Sequence, residues 1–206
     1  LADSLVGQQG VPEELYQEFL SDITEEIDRE NKIITDLLSL VKMDKKAADM
    51  NIVNMNINEL LENILKRLRP IADQRSIDLI LDSFRPVTAD VDEVKFTLAI
   101  SNLVENGIKY NVDEGWVRVT LDADHKYFYV TVADSGLGIP EDSIERIFER
   151  FYRVDKSHSR EIGGTGLGLA ITRSSIVMHH GTIKVSSKEG EGTTFNVKIP
   201  LSYIPS

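Results

Sequence analysis

Apolar positions divide the chain into two unlike stretches. From 11 to 47 they follow a seven-residue period. Leu20, Ile27, Ile34 and Val41 recur at that interval, Tyr16, Ile23 and Leu37 fill the interleaved places, and Glu30 breaks the second series. Such a seam predicts one long helix that meets a parallel or antiparallel partner helix, rather than one packed only on its own domain. Leu15, Phe19, Leu38 and Leu40 widen the apolar face beyond one partner. Pro12 suits a first turn, and Glu13 and Glu14 suit the positive end of the helix dipole. Residues 1–6 read as the end of an earlier helix, with Gly7 and Gly10 as its stop and turn. Met43 to Asp49 is charged and rich in small residues, and reads as a hinge.

Beyond residue 50 the pattern becomes mixed. Residues 52–57 alternate like a strand, with apolar 53, 55 and 57. Asn58 is placed to cap a helix running to about Gln74, with Leu60, Leu61, Ile64, Leu65 and Leu68 on one face. A strand follows at 77–81. Residues 92–110 form a helix whose Phe96, Ile100, Leu103 and Gly107 make a buried stripe. Strands at 116–121 and 127–133 are joined by a hairpin signal at 122–125. A helix spans 166–179, and a second hairpin joins 183–187 to 193–199. The fold class expected is α+β: a two-layer α/β sandwich with a mixed, mostly antiparallel sheet, preceded by a long coiled-coil-type helix. The expected domains are 1–47 and 48–206.

Composition narrows the chemistry. The chain has 206 residues, is 41% hydrophobic and 28% charged, carries a net charge of −11 and has no cysteine. That is an ordinary globular balance. Without cysteine there is no disulfide framework, thiolate metal site or thiol nucleophile. The acidic balance argues against wrapping nucleic acid, which wants a basic face, but not against a small anion in a local pocket. No run of about 18 apolar residues is present. The first residue is Leu1, not Met, so the chain reads as a piece of something longer.

Nine of the 13 glycines fall between 134 and 192. They cluster as Asp134-Ser135-Gly136-Leu137-Gly138, as Gly163-Gly164-Thr165-Gly166-Leu167-Gly168, and around Gly190 and Gly192. Backbone N–H groups in glycine loops that open a helix bind phosphate, and the second cluster runs into a helix. A dinucleotide-binding reading lacks the strand before Gly163, and a P-loop reading lacks the Gly-Lys-Ser/Thr ending. On the helix 92–110, Asn102, Asn106 and Lys109 stand at i, i+4 and i+7, one polar face opposite the apolar stripe. An amide oxygen is a hard neutral ligand suited to Mg²⁺, and a lysine one turn on can pair with phosphate.

Taken together and in this order, these elements resemble the N, G1, F and G2 boxes of sensor histidine kinases. These belong to the nucleotide-binding superfamily shared with gyrase, MutL and the large heat-shock chaperones. The F box is Ile147-Phe148-Glu149-Arg150-Phe151-Tyr152-Arg153. The resemblance covers about residues 50–200, and helix 13–43 is similar to the second helix of the dimerisation and histidine-phosphotransfer domain. It implies a Bergerat-type fold with ATP and Mg²⁺ as cofactors. By the same resemblance, Asn106 would be the Mg²⁺ ligand, with Asn102, Lys109 and Tyr110 lining the nucleotide site. Asp134 would accept from the adenine amino group, and Gly136, Gly138 and Ile139 would shape that turn. Residues 152–165 would form a lid, with Tyr152, Arg153, Lys156, Ser157, His158 and Arg160. Gly164, Thr165, Gly166, Leu167 and Gly168 would close on the phosphates. Arg150 is read either as an ion pair at the lid base or as a phosphate contact.

The implied function is transfer of the ATP γ-phosphoryl group to a histidine on a helical dimerisation domain. A response regulator would lie downstream, within a homodimeric, membrane-anchored sensor whose cytoplasmic part includes this chain. ATP-hydrolysing relatives place a Glu four residues before the Mg²⁺-binding Asn. Here that position is Asn102, which cannot take a proton from water, and Glu105 points about 100° away around the helix. A degenerate binding module is the remaining alternative, and the intact N, G1 and G2 elements argue against it. The family's phosphoacceptor histidine is followed by an acidic residue. His125, His158, His179 and His180 have no such neighbour: His125 reads as solvent-facing, His179 as structural, and His180 stands where the family usually has Gly.

Overall fold

The computed structural model describes residues 13–44, 50–154 and 164–204. The expectations for residues 1–12, for the hinge at 45–49 and for lid residues Lys156, Ser157, His158 and Arg160 lie outside these. The long helix is present as α1 (Glu13–Asp44). It is followed by β1 (Ile52–Asn56), α2 (Ile57–Gln74), β2 (Asp78–Ser83), β3 (Thr88–Asp92) and α3 (Glu93–Lys109). The chain continues as β4 (Trp116–Ala123), β5 (Tyr127–Asp134), a 3-10 turn (Glu141–Ser143), α4 (Gly168–Met178), β6 (Thr182–Lys188) and β7 (Gly192–Pro200).

The main sheet has the order β2-β4-β5-β7-β6, with β2 parallel to β4 and all other pairs antiparallel. Its alternation is clean. Val117, Val119 and Leu121 of β4, Phe128, Val130 and Val132 of β5, and Phe195, Val197 and Ile199 of β7 are all buried. The intervening positions stay half-buried or exposed, as a sheet covered on one face requires. Helices α2, α3 and α4 cover the apolar face. Leu60, Leu61, Ile64, Leu65 and Leu68 of α2 and Phe96, Ile100 and Leu103 of α3 join one core with those strands. Burying side chains of this size stabilises by about 1.5–3 kcal/mol each, which is why the stripes set the layer order.

Two sequence expectations need correction. The cap of α2 is Asn56, not Asn58: the Asn56 side-chain oxygen accepts from the N–H groups of Asn58 and Glu59, and its amide donates to Glu59 Oε1 at 2.9 Å. Asn58 instead bridges α2 to the loop after β2, accepting from Val87 N at 2.8 Å and donating to Arg85 O. Ile57 therefore opens the helix rather than ending the strand, and is fully buried there. The second correction is a strand the periodicity missed. β3 pairs antiparallel with β1 in a separate two-stranded sheet. Val87, Ala89 and Val91 alternate inward, but the intervening Thr88, Asp90 and Asp92 and the small Ala89 make a weak strand signature.

Buried His179 locks the N-terminus of α3. Its Nε2 accepts from Asp92 N at 2.9 Å, and its Nδ1 lies 2.7 Å from Ser175 O, so Nδ1 carries the proton. Burial lowers its pKa below the ordinary 6.5 and keeps the ring neutral. Asp92 in turn caps α3 through Lys95 N and pairs with Lys95 Nζ at 2.7 Å. The structural role expected for His179 is met. His180, next to it, holds a left-handed backbone (φ 56), a conformation that favours glycine. Its ring stacks on Tyr203.

The cap correction is directly testable. Asn56→Ala is expected to lower unfolding stability in urea by about 1 kcal/mol, and Asn56→Ser to recover most of it. An Asn56→Ala chain as stable as the original contradicts the assignment.

Candidate functional site

The site is built where the last turns of α3 meet the end of β5. Gly107 makes the meeting possible. A Cβ there would stand 3.1 Å and 3.3 Å from the two Val117 methyls and 3.4 Å from Asp134 Cβ, so α3 lies close on β4 and β5. This brings α3, the helix that carries Asn102, Asn106 and Lys109, against Asp134 at Gly107.

Asp134 is the focal group. One oxygen, Oδ1, accepts from Gly136 N at 2.9 Å and from Thr193 N at 3.2 Å. The other, Oδ2, accepts no hydrogen bond among the described residues. Burial raises the carboxyl pKa above its ordinary 3.8, and the two backbone donors pull the other way. A half-buried carboxylate with one oxygen fixed and one open is an aimed acceptor.

The turn after Asp134 lies against the end of α3. A Cβ on Gly136 would fall 2.3 Å from Tyr110 O, and Leu137 N donates to that same carbonyl at 2.9 Å. Glycine at 136 is thus required first by the protein's own backbone. Ile139 N donates to Ser187 Oγ, which ties the turn to β6. Gly138 likewise lies against the Lys188 carbonyl. Tyr110 is partly exposed, and Lys109 Nζ sits 5.5 Å from its ring centroid. The same Nζ would be 3.1 Å from a Cβ on Gly164, so the α3 cation already reaches the second glycine cluster.

The other expected residues divide. The Asn106 amide is half-buried with no hydrogen-bond partner among the described residues, open to a ligand. Asn102 Nδ2 donates to Gly168 O at 3.2 Å and joins the start of α4 to α3. That helix begins at Gly168, two residues later than the periodicity gives. Arg153 Nη1 donates to Gly164 O at 2.7 Å, and Phe151 N donates to Gly166 O at 2.9 Å. These two bonds join residues 151–153 to the second glycine cluster. Phe151 holds a left-handed backbone (φ 63), and a Cβ on Gly166 would strike its backbone at 2.9 Å. Tyr152 turns elsewhere: its hydroxyl donates to Ser143 Oγ and its ring lies 4.4 Å from the Arg146 guanidinium, so it anchors residues 151–153 to the 3-10 turn. Leu167 is fully buried against Leu40 and Ile171.

No sequence pattern predicts that α1 docks beside this site. Thr165 Oγ1 donates to Asp36 Oδ2 at 2.8 Å, Lys32 Nζ lies 3.5 Å from Glu105, and Leu40 is buried with Leu167 and Ile171. The seam residues Leu20, Ile27 and Ile34 each remain more than half exposed, while the side chain of Val41 lies outside the described set.

Comparison with known proteins fits this geometry. Residues 91–203 match the family described as histidine kinase-, DNA gyrase B-, and HSP90-like ATPase. The sensor histidine kinase WalK of Bacillus subtilis is 35% identical over 185 residues, 88% of this chain but only 30% of that protein. The chain therefore spans about a third of that relative's length. The catalytic domain of histidine kinase ThkA, solved free of nucleotide, superposes with a TM-score of 0.66 at 28% identity, covering 74% of this chain and 97% of that one. Full-length ShkA in complex with AMPPNP shares the fold over 97% of this chain and 41% of its own, with a TM-score of 0.79 at 24% identity. With the α3 polar row, the aimed Asp134 and the glycine clusters in the family's order and over the family's span, the chain belongs to the histidine kinase-, DNA gyrase B- and HSP90-like ATPase family, on its sensor histidine kinase branch.

Proposed function

We propose that residues 50–204 bind Mg·ATP and present its γ-phosphoryl group to a histidine on a helical partner domain of which α1 is one helix. The observation that carries this reading is Asp134, whose open Oδ2 is held beside the end of α3. The adenine amino group is a donor that such an acceptor fits. Lys109 Nζ, beside Gly164, marks the phosphate end.

Among the described residues no three carboxylate or imidazole groups converge on one point. A Mg²⁺ ion would be held by the open Asn106 amide oxygen together with phosphate oxygens and water, as this ion prefers. When bound it would neutralise phosphate charge. The protein's own part is positioning and electrostatics. Asn106 and Lys109 hold the anion, Asp134 fixes the base, and the lid base joined through Arg153–Gly164 and Phe151–Gly166 shields the phosphates from water. In transfer, a partner imidazole nitrogen forms the new N–P bond, the bond from the γ-phosphorus to the bridging oxygen breaks, ADP leaves, and the imidazole N–H proton passes to a base on the partner.

Direct hydrolysis fits this site poorly. Asn102 stands in the base position, with its amide donating to Gly168 O, and Glu105 is paired with Lys32. A response regulator would receive the phosphoryl group from the partner histidine. Dimerisation through the seam of α1 and a cytoplasmic place in a membrane-anchored sensor complete the reading. No helix among the described residues is long and apolar enough to cross a membrane.

The experiment is incubation with γ-labelled ATP and Mg²⁺, with and without a purified helical-hairpin domain carrying a His followed by an acidic residue. The chain alone is expected to bind ATP without acid-labile labelling, and the added domain to become labelled slowly, since no tether raises its effective concentration. Stoichiometric phosphohistidine on this chain alone would contradict the reading.

Asp134 yields a two-sided prediction. Its folded pKa is raised, so the fold binds a proton more readily than the unfolded chain. Ionised Asp134 therefore costs stability, and the cost grows as pH rises from 3.8 towards the folded value. Asp134→Asn is expected to leave the nucleotide-free protein at least as heat-stable at pH 7, while weakening ATP binding about tenfold or more. GTP, without the adenine amino donor, should lose less. Equal losses for ATP and GTP would reduce Asp134 to a support of the glycine turn.

A further inference from the structure

The last carbonyls of a helix have no partner within it and must find one elsewhere. At the end of α3 they are met by groups from four places in the chain. Asn106 O accepts from Tyr110 N, and Gly107 O accepts from Asn111 Nδ2 at 2.8 Å. Tyr110 O accepts from Leu137 N. The two between, Ile108 O and Lys109 O, both accept from one donor, Arg75 Nη1, at 3.0 Å to the first and closer still to the second.

Arg75 comes from outside every motif. It is the C-cap of α2, and its root is fixed: Arg75 N and Ile77 N both donate to Ala72 O, Ser76 holds a left-handed backbone (φ 53), and Ile77 is buried. The guanidinium therefore reaches α3 from a rigid turn. A cation at a helix C-terminus also complements the dipole.

We infer that Arg75 is a positioning residue of the nucleotide site: by holding the Ile108 and Lys109 carbonyls it fixes the last turn of α3 and aims Lys109 Nζ at Gly164. The inference rests on the reading of this site as the place where Mg·ATP binds. It is specific to the phosphate end. The base end is held independently, because Leu137 N grips Tyr110 O and Asn111 ties Gly107 O to Trp116 O through its amide. Loss of Arg75 frees the segment carrying Lys109 while those bonds keep Asp134 and Tyr110 in register.

A double-mutant cycle tests this. ATP affinity is measured by calorimetry for the parent, Arg75→Ala, Lys109→Ala and the double variant, and adenosine affinity by NMR titration for the parent and Arg75→Ala. Lys109→Ala should weaken ATP about tenfold, the scale for losing a bond to a charged group. Arg75→Ala should weaken it about fivefold, and the double variant should bind no more weakly than Lys109→Ala, because both changes act through one ammonium. Arg75→Lys, which keeps a donor, should recover part of the loss, and adenosine affinity should not change. Losses that multiply in the double variant, or an equal loss for adenosine, would overturn the inference, since through-space charge or general loosening behaves that way. An unchanged ATP affinity in Lys109→Ala would bring down the phosphate-end reading itself and leave Arg75 nothing to position. Should Arg75→Ala not fold, Arg75→Lys runs the same cycle, with the same outcomes deciding.

Discussion

The site depends on how closely α3 lies on the sheet at Gly107. Any side chain there would push against Val117 and Asp134. The Val117 side chain or the helix would have to give by a few tenths of an ångström, at the point where α3 meets the residue that carries the carboxylate. Everything that reads as chemistry is arranged about that contact. Asn106 and Lys109 are carried by the turns of α3 on either side of it, and Asp134 sits beneath it. The core supports the contact from behind: Phe96 packs on Phe128 and edges onto His179, so α3 is fixed at its start as well as its end.

The second constraint is that the chain's own backbone uses much of what looks like ligand-binding glycine. Gly136 and Gly166 let two backbone segments touch, at Tyr110 and at Phe151. Glycine clusters thus do two jobs in one place. They let the turns assemble, and only the assembled turns leave Asp134 Oδ2 open and Lys109 beside Gly164. Helix α1 adds to this assembly through Asp36, whose carboxylate takes the hydroxyl of Thr165 within the second cluster. Helix α1 and the second glycine cluster are therefore in direct contact.

Much of this was legible in the sequence because it follows simple periods. The 3.6-residue stripe of α3 and the two-residue alternation of β4, β5 and β7 gave the layers, and the order of the boxes gave the family. The missed features share a cause. β3 is short and rich in aspartate, so its strand character comes from pairing with β1 rather than from its residues. The α2 cap shifted from Asn58 to Asn56 because two asparagines stand two apart and only the backbone decides between them. Arg75 and Asp36 act on carbonyls and hydroxyls distant in sequence, and no local pattern reports such contacts. Tyr152 fell inside a motif, yet turned to Ser143 because the 3-10 turn offers its hydroxyl an acceptor.

The central claim is that Asn106 holds a metal ion bound with the nucleotide while Asp134 holds the base. Calorimetric titration of ATP with and without Mg²⁺, on the parent chain and on Asn106→Ala, tests it most directly. Mg²⁺ is expected to tighten binding to the parent, and Asn106→Ala to lose this metal-dependent gain while its metal-free affinity stays at the parent value. An Asn106→Ala chain that keeps the full gain from Mg²⁺ would contradict it.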